Sequence, residues 1–172
     1  MSDINLRYLL YDTVVFGATA NAESILFQVA SGADATHNEQ FTNMRGAGSL
    51  PQTEKMIVDK IGVVIDKVLA KADVVDIFNG SILEVRVADF TVIKGPIALF
   101  LDASAYGGSI SVAAATDVTS IALKGDGYEL DQTIILPGGT PFKVRVLQGP
   151  AVTAGSNIKV VLHGIYTVSG QG

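Results

Sequence analysis

Thr133-Ile134-Ile135-Leu136-Pro137-Gly138-Gly139-Thr140-Pro141-Phe142-Lys143-Val144-Arg145-Val146-Leu147 carries the fold of this chain. Phe142, Val144 and Val146 alternate with Lys143 and Arg145. A period of two puts the apolar set on one face of a pleated strand and the charged set on the other. The Pro-Gly-Gly-Thr-Pro segment ahead of it has the residues of a turn. Past a Gly149-Pro150 break, Ile158-Lys159-Val160-Val161-Leu162-His163-Gly164-Ile165-Tyr166 gives another apolar strand. The chain ends in short strands joined by Gly/Pro loops, with no catalytic motif between them. That pattern predicts a β-sandwich.

Toward the N-terminus the same grammar continues. Strands are expected at Ile121–Leu123, weakly at Ser109–Ala113, and as one long element over Ser81–Ile93. In the last, Leu83, Val85 and Val87 alternate with Glu84 and Arg86; the phase then slips at Ala88-Asp89, which predicts a bulge. Gly95-Pro96 ends it, and Ile97–Leu101 reads as an apolar strand or strand end. Glu54–Asp66 fits a helix through Ile57, Ile61, Val64 and Val68, or a strand through Ile57, Ile61, Val63 and Ile65. Six of the nine residues from Ile57 to Ile65 are Ile or Val. Such side chains lose rotamer freedom in a helix and suit a sheet, so a strand is expected. Lys67–Phe78 reads as a helix through Val68, Ala72 and Val75, with Asn79-Gly80 as a left-handed stop. Ser31–Gln52 is polar and Gly-containing, the composition of a long loop; ordered loops of that length tend to serve contact or binding. Ser24–Val29 is a short strand. Residues 1–22 hold an arm and a first strand, too apolar to remain solvated. They enter the sheet or dock on a neighbour.

The expected fold is all-β: a single jelly-roll barrel or sandwich of about eight strands with one short helical insertion. Residues 1–16 form the N-terminal arm or first strand, and residues 17–172 the jelly-roll domain.

Composition bounds the function. The chain has 172 residues, enough for one self-sufficient core. The hydrophobic fraction is 48% and the mean hydropathy +0.40, high for a soluble domain. No apolar run approaches the 18 or so residues of a bilayer span. Met1-Ser2-Asp3-Ile4-Asn5 lacks a basic start, so a signal peptide is not expected. The excess apolarity has two readings: surface buried against other subunits, or a generous core. There is no cysteine, which excludes thiolate chemistry. With 12 Lys and Arg against 17 Asp and Glu, net charge −5, the chain lacks the basic face that phosphate backbones require. No direct nucleic-acid binding is expected.

Candidate chemistry is sparse. His37 falls in the polar loop and His163 on the outward phase of the last strand; a metal site of the cupin kind needs several converging ligands, so both are expected as surface histidines. Asp126, Glu129 and Asp131 could gather around calcium, though Gly125-Asp126-Gly127 is also an ordinary turn. Gly107-Gly108-Ser109-Ile110-Ser111 lacks the closing glycine of a nucleophile elbow, and no Gly-rich segment matches a phosphate loop. Tyr106 is the best candidate for an exposed sugar-stacking aromatic; Tyr8, Tyr11 and Tyr166 are expected at an interface or in the core. No enzyme activity and no cofactor are expected.

Three stretches carry a resemblance: Leu50-Pro51 before Lys55–Val63, Asp73-Val74-Val75-Asp76-Ile77-Phe78-Asn79-Gly80 running into Ile82–Phe90, and the closing Leu162-His163-Gly164-Ile165-Tyr166. Over roughly residues 50–95 and 130–168, the order of these segments resembles the small single-jelly-roll capsid proteins of tailless icosahedral viruses with an internal membrane, which infect thermophilic bacteria and halophilic archaea. The resemblance implies a virion subunit, assembled in the host cytoplasm. It would self-associate, pack with a second, larger major capsid protein, and lie over the internal viral membrane. The arm is the expected inter-subunit element, through Leu6, Tyr8, Leu10, Val14 and Phe16, because an unpaired sheet edge invites strand addition. The alternatives are a phage spike, decoration or carbohydrate-binding module, and a cupin-type enzyme.

Overall fold

The structure is a computed structural model that describes residues 3–65, 71–102, 109–114, 117–122, 126–153 and 155–169, with 109–122 as backbone only. Ten strands and one α-helix follow in order: β1 (Ile4–Phe16), β2 (Glu23–Leu26), β3 (Glu54–Ile65), α1 (Lys71–Gly80), β4 (Ile82–Val87), β5 (Phe90–Pro96), β6 (Ser109–Ala114), β7 (Asp117–Ala122), β8 (Tyr128–Pro137), β9 (Phe142–Leu147) and β10 (Ser156–Val168).

Eight strands make two four-stranded antiparallel sheets, ordered β1-β10-β3-β8 and β2-β9-β4-β5; β6 and β7 form a separate hairpin. The chain changes sheet at almost every connection, and no strand pairs with its sequence neighbour except β4 with β5 in the sandwich. That topology is a jelly roll. The hairpin enters between β5 and β8, and the helix between β3 and β4. Both lie in connections, so the sandwich keeps its two continuous sheets.

The alternations set the core. Phe142, Val144 and Val146 of β9 with Leu83 and Val85 of β4 are buried against Ile158, Val160 and Leu162 of β10 and Met56, Val58, Ile61, Val63 and Ile65 of β3. Each such side chain contributes about 1.5–3 kcal/mol relative to exposure. β3 is a strand, as its Ile/Val content predicts, but its inward face differs from the expected one. Asp59 bulges out against β10, where His163 faces Lys60 while Gly164 faces Val58; against β8 the register also breaks there, with Ile134 facing Val58 and Glu129 facing Lys60. The extra residue shifts the phase, so Met56 and Val58 point in and Ile57 points out.

Three local expectations are corrected. Ser81–Ile93 is not one bulged strand. Val87 faces Phe90 across a two-residue turn, with Ala88 at φ 51°, and β4 and β5 form a hairpin. A two-residue turn and a bulge both shift alternation by an odd number, so the pattern alone does not separate them. A real irregularity lies four residues on, where Val85 faces Ile93 but Arg86 faces Thr91. Ile97–Phe100 is a 3-10 turn rather than a strand, with Ile97 and Phe100 buried one turn apart. Gly80 is no left-handed stop; it belongs to α1 and has no positive φ. Its role is close approach: a Cβ there would run into the Pro150 ring and lie 3.2 Å from Gly149 Cα. The Ser31–Gln52 stretch is a loop of turns, as expected, pinned by buried Thr42, Met44 and Leu50.

Candidate assembly surface

The space between the sheets is filled with aliphatic and aromatic carbon. Among the described residues no group of three His, Cys, Asp or Glu side chains is placed to hold a metal ion, and no helix is long and apolar enough to cross a membrane. The proposed calcium ligands do not gather. Asp126 pairs with Lys60 Nζ at 3.3 Å, while Glu129 and Asp131 lie exposed along β8. Tyr106 lies outside the described residues.

The histidines take different places. His37 Nδ1 lies 2.8 Å from Asp34, whose carboxyl is lowered to about 2 by the Thr36 hydroxyl and His37. His163 is on the outward phase of β10 as expected, yet it is not a free surface residue. The end of the 3-10 turn crosses beside it: Asp102 N–H donates to Val63 O at 2.8 Å, and Asp102 Oδ2 sits 3.5 Å from His163 Nε2. That nitrogen is buried without a hydrogen bond, and burial, then Lys60, lowers the imidazole pKa. Gly62 makes the approach possible, since a Cβ there would lie 3.0 Å from Asp102 Oδ2 and 3.2 Å from His163 Nε2.

One cleft has mixed lining. About 410 Å³ lies between β1, β2 and the long loop, bordered by Asp12, Ser24, His37, Phe41 and Asn157. Asp12 is buried on the inward face of β1, and desolvation raises its pKa. Its carboxylate accepts from Phe27 N–H at 2.5 Å and Thr13 N–H at 2.9 Å. It thereby holds Phe27, fully buried at φ 65°, in a left-handed conformation.

The exposed apolar residues are the most unusual feature. Among the described residues eleven large hydrophobic side chains stand in solvent, and eight of them lie on the four strands that edge the two sheets. Ile4, Leu6, Leu9 and Val15 are on β1, Ile25 on β2, Phe90 and Val92 on β5, and Ile135 on β8. Phe90, at the β4–β5 turn, is 78% exposed. Edge strands in monomeric proteins are usually blunted with charge, because their free N–H and C=O groups recruit other strands. Here the edges carry exposed apolar side chains alongside charged ones such as Arg7, Glu129 and Asp131. On the outer face of the second sheet Arg145 bridges Glu23 at 2.7 Å and Glu84 at 3.3 Å. A hydrogen bond from Thr91 at 2.6 Å lowers Glu84, and one from Arg145 lowers Glu23. The outer face of the first sheet instead carries Ile165, Ile57 and Ile135 abreast on three adjacent strands.

The five residues expected to meet a partner fall into three kinds: buried, half-buried and exposed. The whole of Ile4–Phe16 pairs with β10 of its own chain. Leu10, Val14 and Phe16 face inward and are buried in the core, so in this arrangement they are not available to a neighbour. Tyr8 is half-buried against Tyr166, ring centroids 4.9 Å apart. Leu6, 53% exposed, is the one that stands clear. Ile4, Leu9, Phe90 and Ile135 are exposed too and were not singled out; Ile4 shares the phase of Leu6, while Leu9 and Ile135 are apolar residues on the outward phase of their strands and Phe90 sits at a turn.

Compared with known proteins, the chain matches no family model, no curated protein and no solved structure.

Proposed function

We propose that this chain is a structural subunit of a viral shell, whose work is to tile against copies of itself and a larger coat protein over an internal membrane. The observation that carries it is the placement of exposed apolar side chains along the sheet edges of a solidly packed jelly roll. Apolar seams on a molecule with a closed core favour repeated lateral contact, and symmetry multiplies weak contacts into a closed particle. The acidic balance fits a wall that does not hold the genome itself. The segment order that resembles the small capsid proteins points the same way. The place of action would be the virion, after assembly in the host cytoplasm.

Electron microscopy of the expressed chain, alone and with the products of neighbouring genes, tests this. Capsomers, sheets or shells are expected. A chain that remains single under every mixture, or that carries stoichiometric metal and turns over a small compound, would refute it. A second reading, a spike or carbohydrate-binding module, is favoured by the cleft beside His37 and Asn157. Glycan-array binding that is lost in Asn157→Ala, with no particle formation, would select it.

A further inference from the structure

The free edge of β1 is sealed along only half of its length. Asn43, from the long loop, closes the middle: Tyr11 N–H donates to Asn43 Oδ1 at 2.8 Å, Asn43 N–H donates to Tyr11 O at 3.2 Å, and Asn43 Nδ2 donates to Leu9 O at 2.7 Å. Beyond it, Thr13 N–H is met by Asp12 Oδ1 and the Thr13 hydroxyl by Phe41 O at 2.7 Å. These contacts show which residues turn their backbone away from β10: Leu9, Tyr11 and Thr13. β1 pairs with β10 without a register shift, so Asn5 and Arg7 have the same phase. Among the described residues nothing meets the outward N–H and C=O groups of Asn5 and Arg7. Exposed Ile4 and Leu6 stand beside this open segment.

Resting on the assembly reading above, we infer that the open half of β1 pairs antiparallel with the same segment of a second copy, about a two-fold axis through Asn5. In this register Asp3 faces Arg7 of the second copy, Ile4 faces Leu6, and Asn5 faces Asn5. Opposite charges and apolar side chains then meet in cross-strand pairs, which stabilise antiparallel ribbons. The neighbouring registers are worse. An axis through Arg7 sets two guanidinium groups against each other. An axis through Leu6 pairs Asp3 with Leu9, whose carbonyl is already taken by Asn43. Arg7 holds Asp59 of its own chain with two of its five donors and keeps others for the rim. The two first sheets would join into one continuous eight-stranded sheet, an isologous contact.

The chain has no cysteine, so Asn5→Cys introduces the sole thiol. Facing residues of a hydrogen-bonded antiparallel pair lie about 5.5 Å apart at Cα, within disulfide reach. Mild oxidation of the full-length Asn5→Cys chain is expected to give a disulfide dimer, while Thr13→Cys on the sealed half stays single. Arg7→Pro removes an outward N–H, which an edge strand tolerates, together with the guanidinium that would face Asp3 and the exposed pair with Asp59. It is expected to weaken dimerisation at least tenfold in sedimentation equilibrium with the melting curve otherwise retained. Asp3→Arg and Arg7→Asp are each expected to be monomeric, and their mixture dimeric, because only the mixed pair matches charges at both contacts; this decides the matter should Arg7→Pro fail to fold. If the wild-type chain associates but Asn5→Cys does not cross-link, this pairing is wrong and the assembly reading stands. If the chain neither associates alone nor enters particles with its neighbours, both fall.

Discussion

Gly164→Ala is the substitution whose cost the structure defines most closely. Gly164 lies on β10, the second strand of the first sheet, beside the Asp59 bulge. A Cβ added there would be driven into the carbonyl oxygen of Ile57, with the Ile57 carbonyl carbon at 2.8 Å and Val58 Cα at 2.9 Å. These are backbone atoms of the neighbouring strand and cannot rotate away. Relief requires β3 and β10 to part by more than an ångström, which takes the flanking ladder bonds beyond hydrogen-bond length. Losing two or three such bonds in a buried sheet, at about 1–1.5 kcal/mol each, removes about 2–4 kcal/mol. For a chain of this size that lowers Tm by about 5–15 °C. Gly17→Ala is the matched control: a Cβ there meets nothing within 4 Å and the φ is not positive. It is expected to melt within a few degrees of the wild type, on the stabilising side because alanine restricts the unfolded chain. Thermal unfolding followed by circular dichroism reads both. Equal melting of the two variants would refute the register assigned between β3 and β10.

Other expectations follow from single contacts. Asp12→Ala leaves the buried Phe27 N–H without an acceptor and should cost about 1–3 kcal/mol in urea unfolding; an unchanged midpoint would deny Asp12 its anchoring role. His163 has a lowered pKa in the fold, so the unfolded chain takes up the proton first. Stability should therefore be full above about pH 6.5, the ordinary histidine value, and fall as pH drops below it. His163→Gln should flatten the melting profile in that window. Gly80→Ala drives a methyl into the Pro150 ring and should destabilise by about 1–3 kcal/mol, whereas a helix-propensity effect alone would stabilise by up to about 1 kcal/mol. The sign of the measured change separates the two.

The strands were legible because alternation reports directly on a sheet with one buried face. β9 and β10 could be placed almost to the residue for that reason. What escaped reading were events that alter parity without changing composition. The Ala88-Asp89 turn lacks the Asn-Gly signal of a tight hairpin, so it passed as a bulge. The Asp59 bulge, with no glycine or proline to mark it, passed as regular strand and put Ile57 on the wrong side. Gly80 was visible as a special position, but its reason, a proline ring from a segment 70 residues away, is a tertiary fact. The sheet edges were legible only in part. Leu6 stands exposed, while Leu10, Val14 and Phe16 share its apolarity and its phase on β1 and differ only in being covered by the second sheet and loops. Nothing local distinguishes a residue buried by its own chain from one awaiting another.

The seal that Asn43 places on β1 has a further meaning. In the pairing inferred above, one amide from a loop 32 positions downstream of Tyr11 would meter how much rim stays adhesive. That loop contributes no strand to either sheet of the sandwich. A change at Asn43 itself would lengthen the sticky segment, while its neighbours Thr42 and Met44 anchor the loop in the core. Valency would then hang on one side chain that turns outward from a loop whose flanking residues hold the fold.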